Sequence, residues 1–174
     1  MHLEHAAEAD FPEIIDLVNV AYRGKGPVAS WNIETGIIEG TRLTESLLRE
    51  DLAAKPHAHF LITRDPESRV IIGTVWLEPV SELVWYLGLF TVSPALQKQN
   101  LGRALLSAAE DFATAQGAKS IRMGVLNVRD ALIAWYERRG YARNGATEPF
   151  PYGDNRFGTP LRDDLVFVIL EKQT

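Results

Sequence analysis

The chain has 174 residues, 46% of them hydrophobic and 24% charged, which is the balance of one ordinary globular domain spanning 1–174. It carries no cysteine, so disulfides, thiolate metal sites and a cysteine nucleophile are excluded. A net charge of −5 argues against whole-surface binding to nucleic acid or an anionic membrane. The acids in the opening residues, MHLEHAAEAD, and the lack of any apolar run near ~20 residues give the expectation of a cytoplasmic protein with neither a secretory leader nor a membrane span.

Met1 to Ala6 alternates weakly, as a first strand would. Asp10 is placed as an N-cap, and Phe11, Ile14, Ile15, Val18, Ala21 and Tyr22 recur at helical spacing up to Gly24. The stretch from Gly24 to Arg42 mixes Gly and Pro with Trp31, Ile33, Ile37 and Ile38, and a long loop of that composition is more often functional than idle. Thr44 caps a helix predicted over Glu45 to Ala54. Three strands follow, His57–Thr63, Val70–Val80 and Leu83–Val92, joined by short polar turns as an antiparallel meander. Leu101, Ala104, Leu105, Ala108, Ala109 and Phe112 share one face of a long helix that Gly117 ends. Ser120–Leu126 reads as a buried strand and Ala131–Arg139 as a helix capped by Asp130. Tyr141 opens a strand-like piece, Glu148–Arg162 is a structured loop, and Leu165–Leu170 is a last buried strand. The predicted fold class is mixed α/β, in the order β-α-α-β-β-β-α-β-α-β-β.

One stretch carries most of the chemistry. The strand LGLFTV ends at Ser93-Pro94, a polar turn Gln97-Lys98-Gln99-Asn100 follows, and a helix opens at Leu101-Gly102-Arg103. A strand, a tight turn and a helix N-terminus can hold phosphate through turn N–H groups and the helix dipole. Asn100 tolerates the left-handed conformation, Gly102 permits close approach, and Lys98 and Arg103 add charge. An ordinary strand-to-helix connection has the same outline, and neither GxxxxGK[ST] nor a GxGxxG after a strand is present.

Other candidates are weaker on their own. Trp135 and Tyr136 near a helix end read first as core, although a tyrosine hydroxyl can donate a proton. His57 and His59 share a strand face, but no nearby ligands complete a metal site, so none is expected. Glu78, at a strand end, is either a catalytic base or a solvated carboxylate.

Taken together, these features resemble the GNAT family of N-acetyltransferases. The resemblance lies in the element order and in two motifs. The family's Q/R-x-x-G-x-G/A motif is matched by Gln97-Lys98-Gln99-Asn100-Leu101-Gly102, preceded by Val92-Ser93-Pro94 and followed by Arg103 to Leu106. The later motif, a Tyr followed four residues on by Gly and an aromatic, is matched by Tyr136, Gly140 and Tyr141. Three positions depart from the pattern: Asn100 replaces the first motif glycine, Arg129 stands where an Asn is frequent, with Asn127 close by, and Tyr86 stands where some members have a glutamate base.

The resemblance implies a single-domain GNAT-like fold, with a mostly antiparallel central sheet and helices on both faces. It also implies transfer of acetyl from acetyl-CoA to a primary amine of a small molecule or peptide, without a metal. Backbone N–H groups of Phe90, Thr91 and Val92 would hold the pantetheine and acetyl carbonyl, and Gln97 to Arg103 would hold the pyrophosphate, with Asn127 a further cofactor contact. Glu78, or a water held by Tyr86, would take the amine proton, and Tyr136 would protonate the leaving thiolate. The acceptor would lie against Arg23–Arg42 and Glu148–Arg162, where Phe150, Tyr152, Asp154 and Phe157 suggest a wall for a cation. Family members often form homodimers through late strands. The alternative reading is a non-catalytic acyl-CoA sensor on the same fold.

Overall fold

The computed structural model of the chain describes residues 1–24 and 33–174, without the side chains of 97–99. Two strands in the middle of the chain, β3 (His59–Arg64) and β4 (Ile71–Pro79), are buried along most of their length. Both faces of the sheet are covered, so the alternating residues find separate cores. Phe60, Ile62, Ile71 and Trp76 pack under α1 (Phe11–Arg23) and α2 (Glu45–Ala54). Leu61, Val75 and Leu77 pack under α3 (Leu101–Ala115) and α4 (Asp130–Glu137). On α1 the predicted face supplies the buried residues Phe11, Ile14, Val18 and Ala21; on α3 Leu101, Leu105 and Ala109 of the predicted face are buried, Leu106 and Ala113 join them, and Ala104 is exposed.

The main sheet has seven strands in the order β1-β3-β4-β5-β6-β9-β7, where β1 is Glu4–His5, β5 Val84–Val92, β6 Ser120–Leu126, β7 Ala142–Pro149 and β9 Val166–Gln173. All neighbours are antiparallel except β5 and β6. This is the mixed, mostly antiparallel sheet with helices on both faces that the sequence led us to expect. Two further strands, β2 (Ile38–Glu39) and β8 (Thr159–Pro160), pair with each other. They fall in segments that read as loop, because a two-residue strand has no periodicity to detect. Lys25 to Asn32 of the first of those segments, Trp31 included, lies outside the described residues.

Capping followed local chemistry unevenly. Thr44 accepts the Leu47 N–H at 3.3 Å, a cap that contributes about 1 kcal/mol. Asp10 does not cap α1 with its side chain; its carboxylate accepts the Ala7 N–H at 2.9 Å and binds Arg64 at 2.6 Å. Asp130 is the first residue of α4 rather than its cap. His59 meets His5 ring to ring, Nδ1 to Nε2 at 3.0 Å, and stacks on Trp85.

The feature that shapes the site is a bulge in β5. Trp76 pairs with Gly88 but Thr74 pairs with Thr91, so one extra residue is accommodated opposite Val75. Leu89 takes φ 41°, a conformation unusual for a leucine. Two fully buried hydroxyls hold it there. Thr74 Oγ1 donates to the Leu89 carbonyl at 2.9 Å and Thr91 Oγ1 donates to it at 3.2 Å. The double substitution Thr74→Val, Thr91→Val keeps the side-chain volume and removes both donors. It should lower unfolding free energy by roughly 2 kcal/mol, measured by urea denaturation; an unchanged midpoint would mean that the threonines do not hold the bulge.

Candidate active site

Strands β5 and β6 run parallel and pair only over Val84–Ser120, Trp85–Ile121 and Tyr86–Arg122. Beyond Tyr86 the bulge carries β5 away from β6, and among the described residues no strand pairs with it on that side. A cavity of about 370 Å³ occupies the opening. Its floor is Leu87 to Phe90 of β5 and Met123 to Leu126 of β6, and Tyr136 of α4 reaches it from one side. Tyr22, Arg42, Glu148 and Phe157 form the opposite wall.

Three tyrosines converge on this space. Tyr136 is buried and packs edge-on against Phe90, Trp135 and Tyr141. The Tyr22 hydroxyl donates to the Phe90 carbonyl at 3.3 Å, so α1 is tied to the bulged strand. Tyr86 lines the cavity at the point where the strands part. Burial raises the pKa of all three phenols, so each presents a neutral O–H near pH 7.

The phosphate-friendly turn is built as its sequence suggests. Asn100 has φ 58° and ψ 12°, the left-handed conformation that asparagine adopts more readily than most residues. The first N–H groups of the 15-residue helix α3 follow immediately. A Cβ placed on Gly102 would come no nearer than 3.6 Å to Trp135, so packing does not demand glycine there, and the small residue leaves room above the turn. Arg103 stands in the first turn of α3, with Arg138 and Arg139 just past α4. Arg139 lies 3.5 Å from the Trp135 ring centroid and donates to the Trp135 carbonyl at 2.6 Å, while its buried Nε has no hydrogen-bond partner among the described residues. Burial, then the charges of Arg138 and Arg103, hold its pKa below the usual arginine range. Three cations gathered this closely, none ion-paired among the described residues, suit an anionic ligand.

Several residues singled out from sequence stand elsewhere. Glu78 does not line the cavity; its carboxylate is held by Lys55 Nζ at 2.7 and 2.8 Å and by Trp76 Nε1 at 3.1 Å. Two carboxylates line the cavity among the described residues: Glu34, which is ion-paired with Arg23, and Glu148, on β7. Asn127 ties its side chain to the chain leading into β9, donating to the Asp164 carbonyl at 3.0 Å and accepting the Val166 N–H at 3.1 Å, which leaves one amide N–H unassigned. Of the suggested cation wall, Phe150 and Phe157 face the cavity, but Tyr152 bonds the Arg162 carbonyl and Asp154 caps a short turn. Phe90 lines the cavity; Thr91 and Val92 are buried beside it. The side chains of Gln97, Lys98 and Gln99 lie outside the described residues. Among the described residues no three metal-ligating side chains cluster, and no helix is long and apolar enough to cross a membrane.

Comparison with known proteins places this architecture. The sequence model of the acetyltransferase (GNAT) family matches residues 28–141, which include the bulged strand, the turn and Tyr136. No curated protein matches the chain in sequence. Among solved structures, the ribosomal-protein-alanine N-acetyltransferase from Brucella melitensis superposes with a TM-score of 0.69 at 18% identity, covering 100% of both chains. A GNAT family acetyltransferase from Elizabethkingia anophelis with acetyl-CoA bound gives 0.64 at 14% identity over 99% of this chain and 97% of the other. A protein described as a putative phosphinothricin N-acetyltransferase gives 0.69 at 13%, over 99% and 97%. At these identities the structures speak for the fold, and the family match covers well over half of the sequence. The chain belongs to the GNAT family of N-acetyltransferases.

Proposed function

We propose that this protein transfers the acetyl group of acetyl-CoA to a primary amine by direct attack of the amine on the thioester. The observation that carries the reading is the opening between β5 and β6. There a strand edge that has left its parallel neighbour β6, a buried tyrosine and a cavity of about 370 Å³ meet, beside a cationic helix N-terminus. The family uses acetyl-CoA, and the residues present suit it at both ends. Arg103, Arg138, Arg139 and the turn at Asn100 would take phosphate, and the edge of β5 beyond its pairing with β6 would take the pantetheine arm.

Acetyl-CoA supplies an activated acetyl thioester; the chain supplies orientation and proton handling. Backbone N–H groups of Phe90, Thr91 and Val92 are our candidates for hydrogen bonds along the pantetheine and at the acetyl oxygen. One well-aimed donor at the developing oxyanion is worth roughly 3 kcal/mol. The amine must lose a proton to attack, because the ammonium has no lone pair. Glu148 takes that proton in this reading, directly or through a water held by Tyr86, in place of Glu78. The C–N bond forms as the C–S bond breaks, and the Tyr136 hydroxyl meets the departing sulfur. Because burial raises the pKa of Tyr136, complete proton transfer to a thiolate is uphill. A hydrogen bond that stabilises the sulfur is the contribution its chemistry suits.

Two measurements check this. Tyr136→Phe should lower kcat by about 10- to 100-fold in a thiol-detecting CoA-release assay while leaving acetyl-CoA affinity unchanged by calorimetry; unchanged kcat would remove Tyr136 from the chemistry. Acetyl-CoA binding without CoA release across a broad amine panel would favour the sensor reading instead. Asn100→Gly should preserve or tighten acetyl-CoA binding, since glycine reaches the same left-handed conformation without strain. A loss of tenfold or more would give the asparagine side chain a role in holding the cofactor.

A further inference from the structure

The acceptor side of the cavity contains a cation that the protein itself does not neutralise. Arg42 lies between two aromatic faces, its guanidinium carbon 5.3 Å from the Tyr22 ring centroid and 5.0 Å from that of Phe157. Stacking on both faces strips water from them and leaves the N–H edges as the hydrogen-bonding surface. The backbone beneath it is fixed as firmly. Asn19 Oδ1 accepts the N–H groups of Arg42 at 2.7 Å and Leu43 at 3.2 Å, and Asn19 Nδ2 donates to the Leu43 carbonyl at 2.8 Å.

The neighbouring arginine shows what a structural cation looks like here. Arg23 is ion-paired with the buried Glu34 and donates to the carbonyls of Gly40 and Phe157. Its partnership consumes Glu34, which also lines the cavity. Arg42 has no ion pair with a carboxylate of the described residues, and Lys25 to Asn32 contains no Asp or Glu to supply one. Glu148 also lines the cavity but stands beyond ion-pairing distance of Arg42. Arg129 adds a second positive charge to the lining, and the charges of Arg42 and Arg129 both act on the Tyr22 phenol against the effect of burial. The wall therefore offers positive charge held in place and one carboxylate set apart from it.

We infer that the acceptor is a small amine that also bears a carboxylate, and that Arg42, clamped by Asn19 and sandwiched between Tyr22 and Phe157, pairs with that carboxylate. The inference rests on the transferase reading above and specifies its substrate class. Tyr22 sets the scale. Its ring face carries Arg42 while its hydroxyl touches Phe90 at the strand opening, so the anion and the reacting amine are separated by little more than one tyrosine ring and its contacts. That spacing fits a compact amino acid, with its amine toward Glu148 and the bulge and its carboxylate on the Arg42 fork.

The test compares matched acceptors: free α-amino acids, the corresponding α-amino amides, and the corresponding amines without a carboxylate. Wild-type protein should favour the free acids by at least about tenfold in kcat/KM. Arg42→Gln should raise KM for the acids by a similar factor, with acetyl-CoA affinity unchanged and activity toward the amides within about twofold. Arg42→Lys, which keeps the charge but not the fork, should recover part of the loss. Amides or simple amines used as well as the acids, or an Arg42→Gln variant that loses all acceptors alike, would overturn the inference. Calorimetry with the same compounds supplies a readout that does not need turnover. If no amine releases CoA, the transferase reading fails by itself. Acids that bind wild-type protein but not Arg42→Gln would still support the carboxylate site, and acids that bind both equally, or neither, would refute it.

Discussion

The carbonyl of Leu89 is turned toward two buried threonine hydroxyls, and the rest of the site depends on that arrangement. A strand that bulges must put its extra residue somewhere. Here the extra residue is stabilised by Thr74 and Thr91, both fully buried, which would otherwise be unsatisfied polar groups in a hydrophobic core. The same two bonds satisfy the threonines and fix a backbone conformation that leucine would not choose. The geometric consequence is the parting of β5 from β6 after three ladder pairs. A parallel pair that stayed closed would bury its own edge. One that opens presents that edge to a ligand, next to a cavity lined by residues of both cores.

Charge divides the opening into two ends. On the α3 side, Arg103, Arg138 and Arg139 gather beside a helix N-terminus, and burial, with the neighbouring charges of Arg138 and Arg103 second, lowers the pKa of Arg139. On the α1 side, Arg42 is held by stacked rings and a clamped backbone, and Glu148 of β7 lines the same cavity. The protein as a whole carries a charge of −5, so both clusters are local exceptions to its average. A net charge alone would never have revealed them. Between the two ends lie the tyrosines, phenols that are neutral near pH 7 and whose ionisation burial disfavours further, suited to donating hydrogen bonds without adding charge.

What could be read from sequence was what depends on neighbours along the chain. The helix faces of α1 and α3, the Thr44 cap and the left-handed turn at Asn100 are all set within a few residues, and each has a local signature. Long-range partners left no such trace. Glu78 looked like a free strand-end carboxylate because Lys55, which claims it, lies 23 residues away on another element. Asn127 looked available because its partners are 37 and 39 residues downstream. Tyr22 counted as core because it falls on the apolar face of α1, and nothing local shows that its hydroxyl reaches Phe90, 68 residues on. Arg42 needed both Tyr22 and Phe157 to become a feature at all. Glu148 was read as the start of a loop, whereas it lies on β7 and faces the cavity. The bulge itself is invisible in LGLFTV, since a register shift exists only between two strands.

The central claim is that the edge of β5 freed by the Leu89 bulge, together with the first turn of α3, is where acetyl-CoA binds. Amide chemical shifts of ¹⁵N-labelled protein titrated with acetyl-CoA test it most directly. The account predicts saturable shifts concentrated at Phe90, Thr91 and Val92 and at Leu101, Gly102 and Arg103, with little change on the far edge strands β1 and β7. Saturable shifts centred elsewhere, or none at millimolar acetyl-CoA, would contradict it.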